Sequence, residues 1–131
     1  MGNNQSAAVY GGYRTRFFTD MQAAGVAMQF VGASNDNPSP LLTTAGQTAH
    51  SGYRAWTIGQ DVYSYQNNFV YHAVNWVNTY QPDVILLHGG TNDILLDAGW
   101  EKTAGNMRKL LNLIYATKPD VKVYVAGIIP V

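Results

Sequence analysis

The residues best placed for chemistry are three small polar side chains in a row, Thr91, Asn92 and Asp93, which close the stretch DVILLHGGTND from Asp83 to Asp93. A carboxamide is neither acid nor base, but the NH₂ group of Asn92 can point at a developing negative charge, as an oxyanion-hole donor does. The same residues have a plainer use, because Asx side chains also build turns and cap the segment that follows. Elsewhere, His50 and Ser51 are adjacent, and neighbours in sequence seldom face each other as base and nucleophile must. Ser6 sits in a polar N-terminal stretch. His72 and His88 read as a helix residue and a strand-end residue. His88 is close enough to Gly90 to approach a crevice, although a packed and hydrogen-bonded histidine is its simpler role. Three histidines among scattered carboxylates match no metal-ligand spacing such as H-E-x-x-H, so no metal and no cofactor is expected. Tyr53, Arg54 and Trp56 follow directly on His50, Ser51 and Gly52 and suit stacking on, or hydrogen bonding to, a sugar. Trp56 would serve equally as the hydrophobic anchor of the next segment.

These side chains need elements to hold them. Val84 to Leu87 is a short apolar run between Pro82–Asp83 and Gly89–Gly90, which predicts a buried strand running into a tight turn. In an open α/β sheet the ligand crevice lies outside the carboxyl ends of the strands, so Asn92, one turn past such a strand, is well placed. Upstream, Gly2 to Gly12 reads as a loop. Phe17, Phe18, Met21 and Ala24 recur at helical spacing and predict a helix over Tyr13 to Ala24, with Gly25 as its stop. Ala27 to Gly32 reads as a short buried strand. Asn35 to Thr48, with Asp36, Pro38, Pro40 and Gly46, reads as a long irregular connection leading to His50. Phe69, Ala73, Val74, Trp76 and Val77 predict a helix over Gln66 to Tyr80, ended by Pro82. Met107, Leu110, Leu111 and Ile114 predict another over Trp100 to Thr117, capped by Asp97 and stopped by Pro119. Val121 to Ile129 reads as a buried parallel strand. Helix and strand alternate, so the class is α/β with a parallel sheet.

Composition narrows the ligand. A chain of 131 residues with 47% hydrophobic content fits one domain, residues 1–131. Only 12% of residues are charged, with eight Lys plus Arg against eight Asp plus Glu, so no long-range field favours nucleic acid or an anionic membrane. A neutral surface rich in Asn, Gln, Ser, Thr and Tyr suits uncharged polar ligands such as sugars. Cysteine is absent, which excludes disulfides and thiolate chemistry. No apolar run approaches a bilayer span, and the opening MGNNQSAAVYGGYR lacks the pattern of a signal peptide, so a soluble chain is expected.

Four ordered blocks carry a family resemblance: Gly12-Tyr13-Arg14-Thr15, Phe30-Val31-Gly32, His50-Ser51-Gly52 and Gly90-Thr91-Asn92-Asp93. Their order and spacing resemble the SGNH hydrolases, and most closely the acetylxylan esterases of the carbohydrate-esterase branch. The resemblance implies a flavodoxin-like three-layer α/β/α fold and ester hydrolysis through an acyl-enzyme, with carbohydrate or a small ester as substrate. It implies Gly52 as a backbone N–H donor and Asn92 as a side-chain donor of the oxyanion hole; from the residues themselves, Tyr53, Arg54, Trp56 and Asp93 are expected to contact the substrate. The family's Gly-Asp-Ser turn and Asp-x-x-His segment occur nowhere in these residues. The chain therefore resembles the middle of an esterase, without the first central strand, the C-terminal strand and helix, the nucleophile or the base. Losing a central strand leaves unpaired edges, which predicts a homo-oligomer formed by strand exchange or edge pairing. Two other functions stay open: a non-catalytic module binding carbohydrate or a partner through Tyr53, Arg54 and Trp56, and a different reaction built on His50, His88, Asp93 or Asp97.

Overall fold

The computed structural model describes residues 11–128. In chain order these form α1 (Tyr13–Ala23), α2 (Pro40–Thr44), α3 (Phe69–Tyr80), β1 (Val84–Leu87), α4 (Thr91–Leu95), α5 (Gly99–Thr117) and β2 (Lys122–Val125). They fall into two compact units that meet in sequence at Arg54 and Ala55. Ser6 and Ile129 to Val131 lie outside the described residues.

In the first unit, α1 ends one residue before the expected Ala24. Gly25, at φ 71°, closes it: its N–H donates to Gln22 O and that of Val26 to Met21 O, both at 3.0 Å, so the last carbonyls of the helix are satisfied. Residues 27–32, expected to be a strand, form no ladder among the described residues. A strand needs a neighbouring backbone, and here a side chain stands in for one. The buried Gln47 accepts from Phe30 N at 2.8 Å and donates through Nε2 to Met28 O at 3.1 Å. The stretch 35–48, expected to be irregular, holds the short helix α2. Ser39 Oγ caps it by accepting from Leu42 N at 3.3 Å, Pro40 supplies its first turn, and Leu42 is fully buried. Ser39-Pro40 was the sequence signal for that helix.

The second unit is a small parallel sheet packed on two helices. β1 and β2 pair in the register Val84↔Lys122 to Leu87↔Val125, and residues 88–121 make the crossover that parallel pairing requires. The α/β class with a parallel sheet is thus as expected. One core joins Ile58, Val70, Ala73 and Val77 to Leu110, Ile114 and Val121, with Ile85, Leu87 and Val123 of the sheet packed against it. α3 starts at Phe69 rather than Gln66, because the fully buried Asn68 caps it, its side chain accepting from Tyr71 N at 2.8 Å. α5 takes no side-chain cap from Asp97. That residue sits at φ 62° between α4 and α5, and Ala98 occupies the cap position. The last strand is shorter than Val121 to Ile129 and is not buried: Tyr124 is 62% and Val125 47% exposed. With two strands, helices cover one face of the sheet, whereas burial of both faces is what makes a strand read as a continuous apolar run.

Candidate functional site

At the carboxyl end of β1 the chain turns through Gly90, at φ 109°, straight into α4. The φ of Gly90 favours glycine, and a Cβ there would also crowd the side-chain ends of Ile128, Ile58 and Thr103. The turn places Asn92 and Asp93 in the first turn of α4, on opposite duties. Asn92 is partly exposed, and its Nδ2 donates one hydrogen to Trp56 O at 2.7 Å. A carboxamide nitrogen carries two hydrogens, and the second has no partner among the described residues.

Asp93 is fully buried. Its Oδ2 accepts from Ile58 N at 2.8 Å and its Oδ1 from Gly59 N at 3.2 Å. The same short loop is held from its other side, where Thr57 O and Ile58 O accept from Phe69 N and Val70 N at the start of α3, each at 3.0 Å. Those two amides are among the N–H groups that every helix start leaves without an internal partner. Thr57 Oγ1 closes the loop on Gly59 O at 2.9 Å. The Asp93 carboxylate therefore supports backbone rather than facing a ligand. The Trp56 ring stacks on His72, with centroids 4.9 Å apart, and on Trp76 at 6.0 Å, so of its two expected roles the structure displays the anchor. His72 lies on α3 and its Nε2 meets Gln66 O at 2.9 Å. His88 departs from the expected hydrogen-bonded histidine, because its Nε2 is buried without a partner among the described residues.

In the first unit, Gly52 N–H points at the imidazole of His50, donating to Nδ1 at 3.0 Å, while Nε2 meets Asp36 O at 2.9 Å. Nδ1 is thus the acceptor and Nε2 carries the proton. Burial lowers the pKa of His50; the Asp36 carbonyl works in the opposite direction and the Arg14 charge adds to the lowering. Ser34 and His50 exchange backbone hydrogen bonds at 2.8 Å in each direction, and a side chain at Gly32 would collide with the His50 backbone. Arg14, buried on α1, donates from Nη1 to Thr48 O at 2.8 Å and steadies the approach to His50. Two of the sequence blocks, at Arg14 and Gly32, therefore serve the loop that bears Gly52. Ser51 Oγ accepts from Ala33 N at 3.2 Å and shares no hydrogen bond with His50. Tyr53 is half-buried and Arg54 exposed. Gly52, Tyr53 and Arg54 belong to the first unit, and Trp56, Asn92 and Asp93 to the second. Sequence reasoning had no means of finding the Trp56 carbonyl or the Thr57–Gly59 amides, since any residue supplies those groups.

The model of the GDSL-like lipase/acylhydrolase family matches residues 19–131. The chain belongs to that family. Among solved structures this GDSL-like chain is similar to a family 3 carbohydrate esterase of Clostridium thermocellum, at 33% identity and a TM-score of 0.73 over 88% of this chain and 50% of that one. It is also 39% identical over 56 residues to an Acetivibrio thermocellus protein provisionally named endoglucanase X, covering 43% of this chain and 24% of that protein. The chain thus spans half of the solved relative and about a quarter of the curated one.

Two outcomes follow from the geometry. Asp93→Asn keeps one acceptor but turns an NH₂ toward the second buried amide, and should lower unfolding stability in urea by about 1–3 kcal/mol. A loss within about 0.5 kcal/mol would show that the loop amides find other partners. For His50, the folded ring protonates at lower pH than the unfolded ring, whose value is near 6.5. The unfolded chain therefore binds more protons in that interval, and the stabilisation present above pH 6.5 is lost as pH falls through the folded value. Acid titration of stability should show this extra slope in the native chain and not in His50→Gln; identical slopes would contradict it.

Proposed function

We propose that these residues form the oxyanion-binding part of an SGNH-type esterase, whose ancestral reaction is removal of acetyl groups from carbohydrate. On this reading residues 1–131 belong to one domain of the family, and none of them is its Ser nucleophile or its His base. The observation that carries the proposal is Asn92: one hydrogen of its carboxamide is tied to Trp56 O and the other has no partner among the described residues. A side chain fixed by one bond donates through the second without reorganising, which is how a preorganised donor stabilises developing charge. The similarity to a family 3 carbohydrate esterase supports the substrate class. Gly52, in the first unit, is proposed as a backbone N–H donor of the esterase; in this structure its N–H donates to His50 Nδ1 at 3.0 Å. Tyr53 and Arg54 are proposed to contact the sugar. The proposal extends to assembly, for β1 and β2 are the paired strands among the described residues and a second copy could pair at their outer edges.

The test is hydrolysis of 4-nitrophenyl acetate by the purified chain, beside Asn92→Ala and Ser51→Ala, with light scattering on the same samples. The proposal expects no turnover above buffer and a mass at least twice that of one chain. Turnover that disappears in Ser51→Ala would overturn the claim that the nucleophile is absent, and a monomer would overturn the edge-pairing claim.

A further inference from the structure

A different part of the second unit presents three tyrosines to solvent. Tyr63 is 71%, Tyr65 70% and Tyr71 41% exposed, although large aromatic rings are ordinarily well covered. They are close neighbours. Tyr65 and Tyr71 meet edge to face with centroids 5.5 Å apart, and Tyr63 lies two residues from Tyr65, a span of at most about 7 Å.

Two of these rings, Tyr65 and Tyr71, stand on fixed backbone. The fully buried Asn68 donates from Nδ2 to Ser64 O at 2.8 Å and to Tyr65 O at 2.9 Å, and its Oδ1 accepts from Tyr71 N at 2.8 Å. One side chain therefore ties the backbone of Tyr65 to that of Tyr71. His72 adds a bond to Gln66 O and packs its ring edge-on to Tyr71 at 4.9 Å. An exposed aromatic pair with its backbone locked loses little conformational freedom when a ligand settles on it.

The charge pattern selects the ligand. From Val62 to Pro82 the sequence contains no Asp, Glu, Lys or Arg, a run of neutral residues that includes both the tyrosines and the exposed amides Gln66 and Asn67. The nearest charges, Asp61 just before this run and Lys102, pair with each other at 3.4 Å, so the patch has no unpaired charge to offer phosphates or a charged peptide. It offers ring faces to the C–H face of a pyranose, and phenol and amide groups to its hydroxyls.

We propose that Tyr63, Tyr65 and Tyr71 form a binding surface for neutral polysaccharide chains, separate from the segment that carries Asn92. It would hold the chain on an insoluble substrate irrespective of whether any ester is cleaved. The proposal shares with the functional reading only the carbohydrate character of the ligand.

The test is depletion of the full chain from solution by insoluble xylan and by cellulose, with polygalacturonate gel as the charged comparator. The native chain should be retained on at least one neutral polysaccharide and not on the polyanion. Tyr63→Ala/Tyr65→Ala should bind roughly tenfold more weakly, and Tyr65→Phe should recover most of the loss. Tyr124→Ala removes another exposed aromatic, 62% exposed, on β2, and should bind as the native chain does. Retention is read without any hydrolysis, so a failed esterase reading leaves this result standing. No retention on either neutral polysaccharide, equal retention on the polyanion, or unchanged binding by the double variant with a native circular dichroism spectrum would each overturn the proposal.

Discussion

The second unit depends on how the backbone from Thr57 to Gly59 is satisfied. This segment is buried and, among the described residues, pairs with no strand beyond an isolated bridge of Thr57 to Asn68, so its polar groups must find other partners or cost stability. They find them on two helices. The Asp93 carboxylate of α4 takes the N–H groups of Ile58 and Gly59, and the N-terminus of α3 gives two N–H groups to the carbonyls of Thr57 and Ile58. The needs are complementary, for a helix start has donors to spare and a carboxylate has only acceptors. Bonds to an anionic acceptor are also the stronger kind. Ile58, fully buried, then carries its side chain into the core with Val70, Val77 and Leu110.

Everything proposed for Asn92 rests on that clamp. Trp56 precedes Thr57, so its carbonyl is as fixed as the loop, and Asn92 precedes Asp93, so its side chain is as fixed as the carboxylate. The 2.7 Å bond between them joins two positions already set by their neighbours. The Trp56 ring, stacked with His72 and Trp76, extends the same order to α3. A donor held in this way has the rigidity that charge stabilisation requires, whereas a carboxamide on a free loop would have to be ordered in the course of reaction.

The sequence was most legible where one face of an element is buried. α1, α3 and α5 show in the spacing of Phe17, Phe18 and Met21, of Phe69, Ala73 and Val77, and of Met107, Leu110 and Ile114, because a helix that buries one side must repeat at 3.6 residues. β1 shows as an apolar run between turn residues. Residues 27–32 carry an equally strand-like pattern, but a pattern cannot supply a partner, and the Gln47 carboxamide takes that place. β2 reads as more buried than it is, because β-branched composition reports fitness for a sheet and not the number of covered faces. Asn92 and Asp93 were both visible as chemistry-bearing residues. Their division of labour was not, because the partners that separate them are backbone groups distant in sequence. The GDSL-like blocks were legible as an ordered set, and the structure gives two of them, at Arg14 and Gly32, a supporting place around His50.

The central claim is that the Thr57–Gly59 loop is held as firmly as the core and so presets Asn92. Amide hydrogen exchange followed by NMR tests it most directly, because exchange reports the opening of each hydrogen bond separately. The account predicts that the Ile58 and Gly59 amides exchange as slowly as those of α5 around Leu110, opening only when the unit unfolds. Exchange of these two amides at the rate of an exposed loop, with α5 still protected, would show that the Asp93 clamp is not closed in solution and would remove the basis for a preset Asn92.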